Sequence, residues 1–136
     1  RAIQGLFPRQ ENISIKITND DAWVNFQKKG EYNPIHGHSG VLSWVIWYKI
    51  PYDRQKEKYA GPGKKEEGLP HGQFHFYTPS FGLGNCPTVM GWGLDVDYRW
   101  EGTIAMFPSN LQHQVFPFYT SDEERITIAG NLYIDV

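Results

Sequence analysis

Three histidines and one arginine carry the chemical interest of this sequence. His36 and His38 stand two residues apart in Asn33-Pro-Ile-His-Gly-His-Ser-Gly40, just ahead of the most apolar run in the chain. Side chains two apart on an extended strand project to the same face, so both imidazoles can reach one point. Two nitrogens from one strand end are an economical start for a metal site, although the same spacing also fits a polar turn with no role. His113 supplies a third imidazole, after a segment stopped by Pro108. A third histidine from a distant segment makes a shared cation the better reading of the set.

The arginine lies in the last apolar segment, residues 125–135. By parity Ile126, Ile128, Leu132 and Ile134 share one face, while Arg125, Thr127, Ala129 and Asn131 share the other. A small polar face with one arginine suits a cavity that holds an anion, because the planar guanidinium binds a carboxylate through two hydrogen bonds. The plainer alternative is an edge strand whose wet face pairs Arg125 with Glu123 or Glu124. Two more histidines, His71 in a charged stretch and His75 between Phe74 and Phe76, are expected on the surface or in packing.

The elements that must position these groups read as short strands. Apolar or alternating segments occur at 13–18, 23–27, 41–50, 73–77, 89–96, 102–107, 113–118 and 125–135, with a turn at 19–21. Pro51 ends the third of them. Residues 52–72, dense in Lys, Glu, Gly and Pro, predict a mobile charged loop and the best place for a flap over a substrate. No stretch predicts a helix of more than two turns. Eight short strands in one chain predict a mainly all-β domain, the double-stranded β-helix or jelly roll, spanning 1–136 as a single domain.

Composition agrees and narrows the partners. At 136 residues there is room for one domain. Aromatic residues make up 15% of the chain, and 14 Gly and nine Pro are scattered along it, which is the pattern of strands cut by turns. A net charge of −2 leaves no basic footprint, so nucleic acid is not expected as a partner. No apolar run approaches the roughly 20 residues of a membrane span, so no membrane is expected either. The single cysteine, Cys86, excludes an internal disulfide and suits a reducing, cytoplasmic compartment; no role is expected for it. The chain opens on Arg1, which reads as a trimmed chain or a fragment that can lack N-terminal elements.

The run Trp23…His36-Gly-His38, the apolar strand to Tyr48, then Phe107-Pro-Ser…His113-Gln-Val…Arg125-Ile-Thr127…Asn131 resembles the Fe(II)/2-oxoglutarate-dependent oxygenases. It looks most like the branch common in phages and marine bacteria and related to prolyl hydroxylases. The spacing Gly102, Pro108, His113 also resembles the second cupin motif, with Asn110 where that motif has glycine. Residues 52–72 and 81–101 match poorly. The resemblance implies iron(II) held by His36, His38 and His113, with 2-oxoglutarate as cosubstrate. Arg125 would anchor its far carboxylate, Thr127 would complete the Arg-x-Thr form of that anchor, and Tyr48 would line the same pocket.

One departure is plain: His38 stands where the family usually has Asp or Glu. Asp95 and Asp97 are the other carboxylates that come into question. The resemblance further implies O₂ as co-reactant, a prolyl or other peptide side chain as substrate, and a bacterial or phage-infected cell as setting. The site residues leave two alternatives: a cupin-type three-histidine metalloenzyme that ignores 2-oxoglutarate, and a non-catalytic jelly-roll module whose aromatics grip sugar or peptide. Trp23, Trp44, Trp47 and Trp92 are the candidate walls in each case.

Overall fold

The computed structural model describes residues 14–63, 68–81 and 87–135. Eight strands form in chain order: β1 (Ser14–Gln27), β2 (Asn33–His36), β3 (Leu42–Lys49), β4 (Phe74–Phe81), β5 (Pro87–Leu94), β6 (Ile104–Pro108), β7 (Gln112–Val115) and β8 (Arg125–Asp135). A single helical turn, α1 (Arg54–Glu57), lies between β3 and β4. Cys86 lies outside the described residues, as do 64–67 of the charged loop.

The strands divide into two antiparallel sheets of four, ordered β1-β8-β3-β6 and β2-β7-β4-β5. Each sheet therefore takes strands alternately from the first and second halves of the chain. A strand pair folded back on itself and wound through both sheets has this order, so the fold is the jelly roll. The core between the sheets is aromatic, with Trp47, Phe74, Phe76, Phe107 and Phe118 buried. Trp47 meets Phe74 and Trp100 edge-on, at 6.0 and 5.2 Å between ring centroids.

Eight strands were expected, but their boundaries shift. The expected turn at 19–21 is an irregularity within one long β1, between Ile17, which pairs with Leu132, and Ala22, which pairs with Gly130. Asn and Asp are accommodated there because the partner strand supplies hydrogen bonds on both sides of the irregularity. The eighth strand is instead β2, whose Asn-Pro start carries no sequence signal of its own.

The charged loop is more tightly held than its composition implies. Tyr52, Arg54, Glu57 and His71 are buried. The Glu57 carboxylate accepts the backbone N–H groups of Tyr119 and Thr120, at 2.7 and 2.8 Å. The Tyr52 hydroxyl donates to Gly72 O at 2.8 Å. Gly72 has φ +78, and a Cβ there would meet the Tyr52 ring at 2.8 Å, so the close approach needs glycine. His71 is not solvated; its Nδ1 donates to Ala60 O at 2.8 Å. A carboxylate that satisfies two backbone amides draws this segment onto the chain before β8, where charge alone would have kept it in water.

Candidate metal centre and its cavity

His36 is the last residue of β2, and its Cα partner in the ladder is His113 of β7. Pairing across two strands thus brings together histidines from distant parts of the sequence. His38 joins them from the connection to β3. Its backbone N–H donates to Ser109 O at 2.8 Å, which ties the His-x-His segment to the turn leading into β7. The ring centroids lie 4.3 Å (His36 to His113), 5.0 Å (His36 to His38) and 5.1 Å (His38 to His113) apart. One ring nitrogen from each lies within 4.8 Å of the others.

The second nitrogens explain how these rings are oriented. His36 Nδ1 lies 2.7 Å from Pro34 O, and His113 Nδ1 lies 3.1 Å from Leu111 O. A carbonyl can only accept, so each Nδ1 carries the proton and each Nε2 keeps its lone pair. That tautomer leaves Nε2 free to ligate a metal, and a backbone acceptor two residues upstream fixes it. Burial pushes the His113 imidazole down to about 4, with His36 and His38 adding to the effect. Burial and then His36 also lower His38. His38 leans on Trp23, with centroids 5.3 Å apart.

Three imidazoles with a ring nitrogen each this close together fit a first-row divalent ion such as iron or zinc, and this group can hold one. The group of potential ligands contains no carboxylate among the described residues. Asp95 is paired with Arg54 at 2.9 Å, and Asp97 is buried under Arg99 at 2.6 Å, so both are committed elsewhere.

The imidazoles open into a cavity of about 310 Å³ between the sheets, at the lower end of the range for small-molecule sites. Arg125 and Thr127 line the same cavity, together with Trp23, Trp44 and Trp47. Arg125 is the first residue of β8 and only 2% exposed. Its Nη1 donates to the Tyr52 hydroxyl at 2.6 Å, and its Nη2 donates to Gln27 Oε1 and, at 3.3 Å, to Phe116 O. All three acceptors are neutral. Among the described residues no carboxylate pairs with this guanidinium, and Glu123 is taken by Lys49. The wet edge strand is thereby excluded: Arg125 points into the molecule. Thr127 Oγ1 accepts a long contact, 3.5 Å, from Asn25 Nδ2.

Tyr48 requires a correction. It is 64% exposed, and the residues of β3 that face inward are Ser43, Val45 and Trp47. Carrying the parity of His38 straight through into β3 would turn Tyr48 inward. Between them the chain crosses from one sheet to the other through Gly40, at φ +103, and a crossing of that kind resets which residues face inside. The tyrosine that does reach the guanidinium is Tyr52, which sequence reasoning missed along with Gln27. Burial raises the Tyr52 phenol, against the pull of Arg125, so it remains a proton donor to Gly72 O. Its sequence signal was slight: an aromatic residue one position after Pro51, at the start of a segment otherwise read as solvated.

His75 is half-buried and bonds Gln73 at 2.6 Å, away from the three-histidine group. Trp92 does not line the cavity; it packs on Phe76 at 5.7 Å and remains 45% exposed.

Fold and site together define a jelly-roll protein with a three-histidine group suited to a metal ion. No family model and no curated protein sequence matches the chain. A solved structure of a cupin domain from Bordetella pertussis Tohama I is similar at a TM-score of 0.40 and 14% identity, over 92% of this chain and 93% of that one. Among the described residues no helix is long and apolar enough to cross a membrane.

Proposed function

We propose that this protein is a non-haem Fe(II)- and 2-oxoglutarate-dependent oxygenase of the hydroxylase type. The observation that carries the reading is the buried Arg125 guanidinium, with only neutral partners, in the same cavity as three converging imidazoles. A buried cation without a counter-charge is costly, and a ligand carboxylate would complete it. A dicarboxylate with a keto group suits both ends, one for the metal and one for the guanidinium.

His36, His38 and His113 would hold the iron. Once bound, it would supply the redox chemistry in which substrate, 2-oxoglutarate and O₂ give hydroxylated substrate, succinate and CO₂. The chain's own part is positioning. Pro34 O and Leu111 O keep Nε2 of His36 and His113 unprotonated and aimed. Tyr52 and Gln27 hold the Arg125 fork in one orientation before the ligand arrives, which reduces the ordering cost of binding. Trp47, Val45 and Ala129 wall the cavity with apolar surface and limit water around it. A prolyl or other peptide side chain remains the proposed substrate class.

A second reading is favoured by the donor set itself. Three imidazoles without a carboxylate also suit a cupin-type metalloenzyme that uses no cosubstrate. Anaerobic addition of Fe(II) and then 2-oxoglutarate separates the two. The oxygenase reading expects a weak visible charge-transfer band that needs both additions. Iron uptake without a band, and without measurable 2-oxoglutarate binding by calorimetry, transfers the assignment to the cupin reading. Failure to take up any divalent metal removes both.

A further inference from the structure

We propose that Ser43, Ser109 and Asn131 form a buried hydrogen-bonded chain that positions His38 as the third metal ligand. The inference rests on the three-histidine metal centre and holds for either reading of its reaction. It starts from an asymmetry among the imidazoles. His36 ends β2 and His113 lies within β7, where the ladder between the two strands fixes both backbones. His38 lies past the end of β2, in the residues that lead to β3. A ligand outside the strands needs another hold on its backbone if it is to keep its place.

That hold is Ser109, the first residue after β6, at the corner where the chain leaves one sheet for the other. The Ser109 carbonyl accepts the His38 N–H at 2.8 Å, and the Ser109 N–H donates to Val41 O at 3.2 Å. Two backbone bonds thus strap residues 38–41 to a single residue. The segment lies close against it throughout: a Cβ on Gly37 would stand 3.5 Å from Ser109 O, and one on Gly40 3.5 Å from Ser109 Oγ.

The corner is anchored through its side chain. Ser43 Oγ lies 2.7 Å from Asn131 Oδ1 and 3.0 Å from Ser109 Oγ. Asn131 Oδ1 can only accept, so it takes the Ser43 proton; a hydroxyl has one proton, and the other bond is therefore donated by Ser109. The chain runs from Ser109 to Ser43 on β3 and on to Asn131 on β8, which are Cα partners across those strands. All three residues are buried. Apolar side chains of the same shape could replace such partners at little cost in stability. What a satisfied polar chain adds is direction, because it permits one arrangement of the groups it joins. It fixes the Ser109 corner relative to β3 and β8, and so His38 relative to the cavity, which Ser43 also lines.

Titration of the chain with Co(II), read by its visible d–d absorption, tests the proposal. His38→Ala supplies the spectrum of the site without its third imidazole. Ser109→Ala breaks the chain but leaves Ser43 bonded to Asn131, so circular dichroism should be unchanged. It should lower Co(II) affinity about tenfold, the low end of the effect of groups that support a ligand, and move the band toward that of His38→Ala. In the His38→Ala background the same substitution should change affinity by less than about twofold, because the residue through which it acts is gone. Ser43→Ala cuts the chain one link further on; it should give the same band change, and serves if Ser109→Ala fails to fold. Wild-type affinity and band in both serine variants overturn the proposal. So does an undiminished loss in the His38→Ala background, since the chain would then act on the fold as a whole. A wild-type protein that takes up no Co(II) removes the metal centre itself, and this inference with it.

Discussion

The two ends of the cavity face opposite problems with buried polar groups. At one end three imidazoles each bring a ring nitrogen within 4.8 Å of the others, and burial lowers the proton affinity of His38 and His113. At the other a guanidinium is held among neutral acceptors, with no carboxylate paired to it among the described residues. The first end offers donors suited to a cation and the second a donor fork suited to an anion. The difference teaches that the two ends are preorganised separately, each by backbone or neutral side-chain acceptors; in the proposed function a ligand would join them. It follows that each end can be damaged without disabling the other.

The largest effect is expected from His113→Ala. It should lower Fe(II) affinity by about 100-fold or more, since losing even an outer partner of a ligand costs roughly 10–100-fold. Competition with a metal-binding dye reads this, and retained metal affinity would break the imidazole end of the comparison. Arg125→Ala comes next. It should weaken 2-oxoglutarate by at least about 30-fold, or roughly 2 kcal/mol, while Fe(II) uptake is retained. Calorimetry showing unchanged 2-oxoglutarate affinity would remove the guanidinium from the site.

The metal-free protein should also lose stability with acid at the imidazole end, beside a contribution from His75, which burial lowers as well. Above pH 6.5 His113 is neutral whether folded or unfolded, so it contributes no pH dependence. Below 6.5 the unfolded chain takes up the proton while the folded protein resists until about pH 4. Stability should therefore fall as the pH drops through that window, read as a declining urea midpoint, and His113→Gln should flatten the decline. The smallest change is expected from Thr127→Val, which removes a hydroxyl engaged only at 3.5 Å by Asn25. It should weaken 2-oxoglutarate by a factor of about five or less, in keeping with roughly 1 kcal/mol for one neutral hydrogen bond. A larger loss would move Thr127 into direct contact with the ligand.

Much of this was legible in the residues, because strand periodicity is local. The odd positions of β8 carry the polar set, and the structure turns Arg125, Thr127 and Ala129 of it into the cavity. The all-β class followed from the spacing of Gly, Pro and aromatic residues; the count of eight agrees only because two expected strands merge into β1 while β2 adds one. The grouping of His36 with His113 was legible only as residue type; their ladder partnership comes from β2 and β7 lying side by side in one sheet. Asn33-Pro34 gives no strand signal, so β2 became visible only through its partner.

By itself, then, the sequence determined which side chains alternate, which donors are available for a cation, and that one arginine shares a face with small polar residues. Tertiary structure alone decided which face is inside. Parity does not survive the crossing between sheets at Gly40, which is why Tyr48 points outward and Tyr52 meets the guanidinium. Burial of Glu57 and His71 within a charged loop was decided in the same way. A carboxylate or an imidazole leaves water only when fixed acceptors or donors await it, and those are supplied by chain segments far away in sequence.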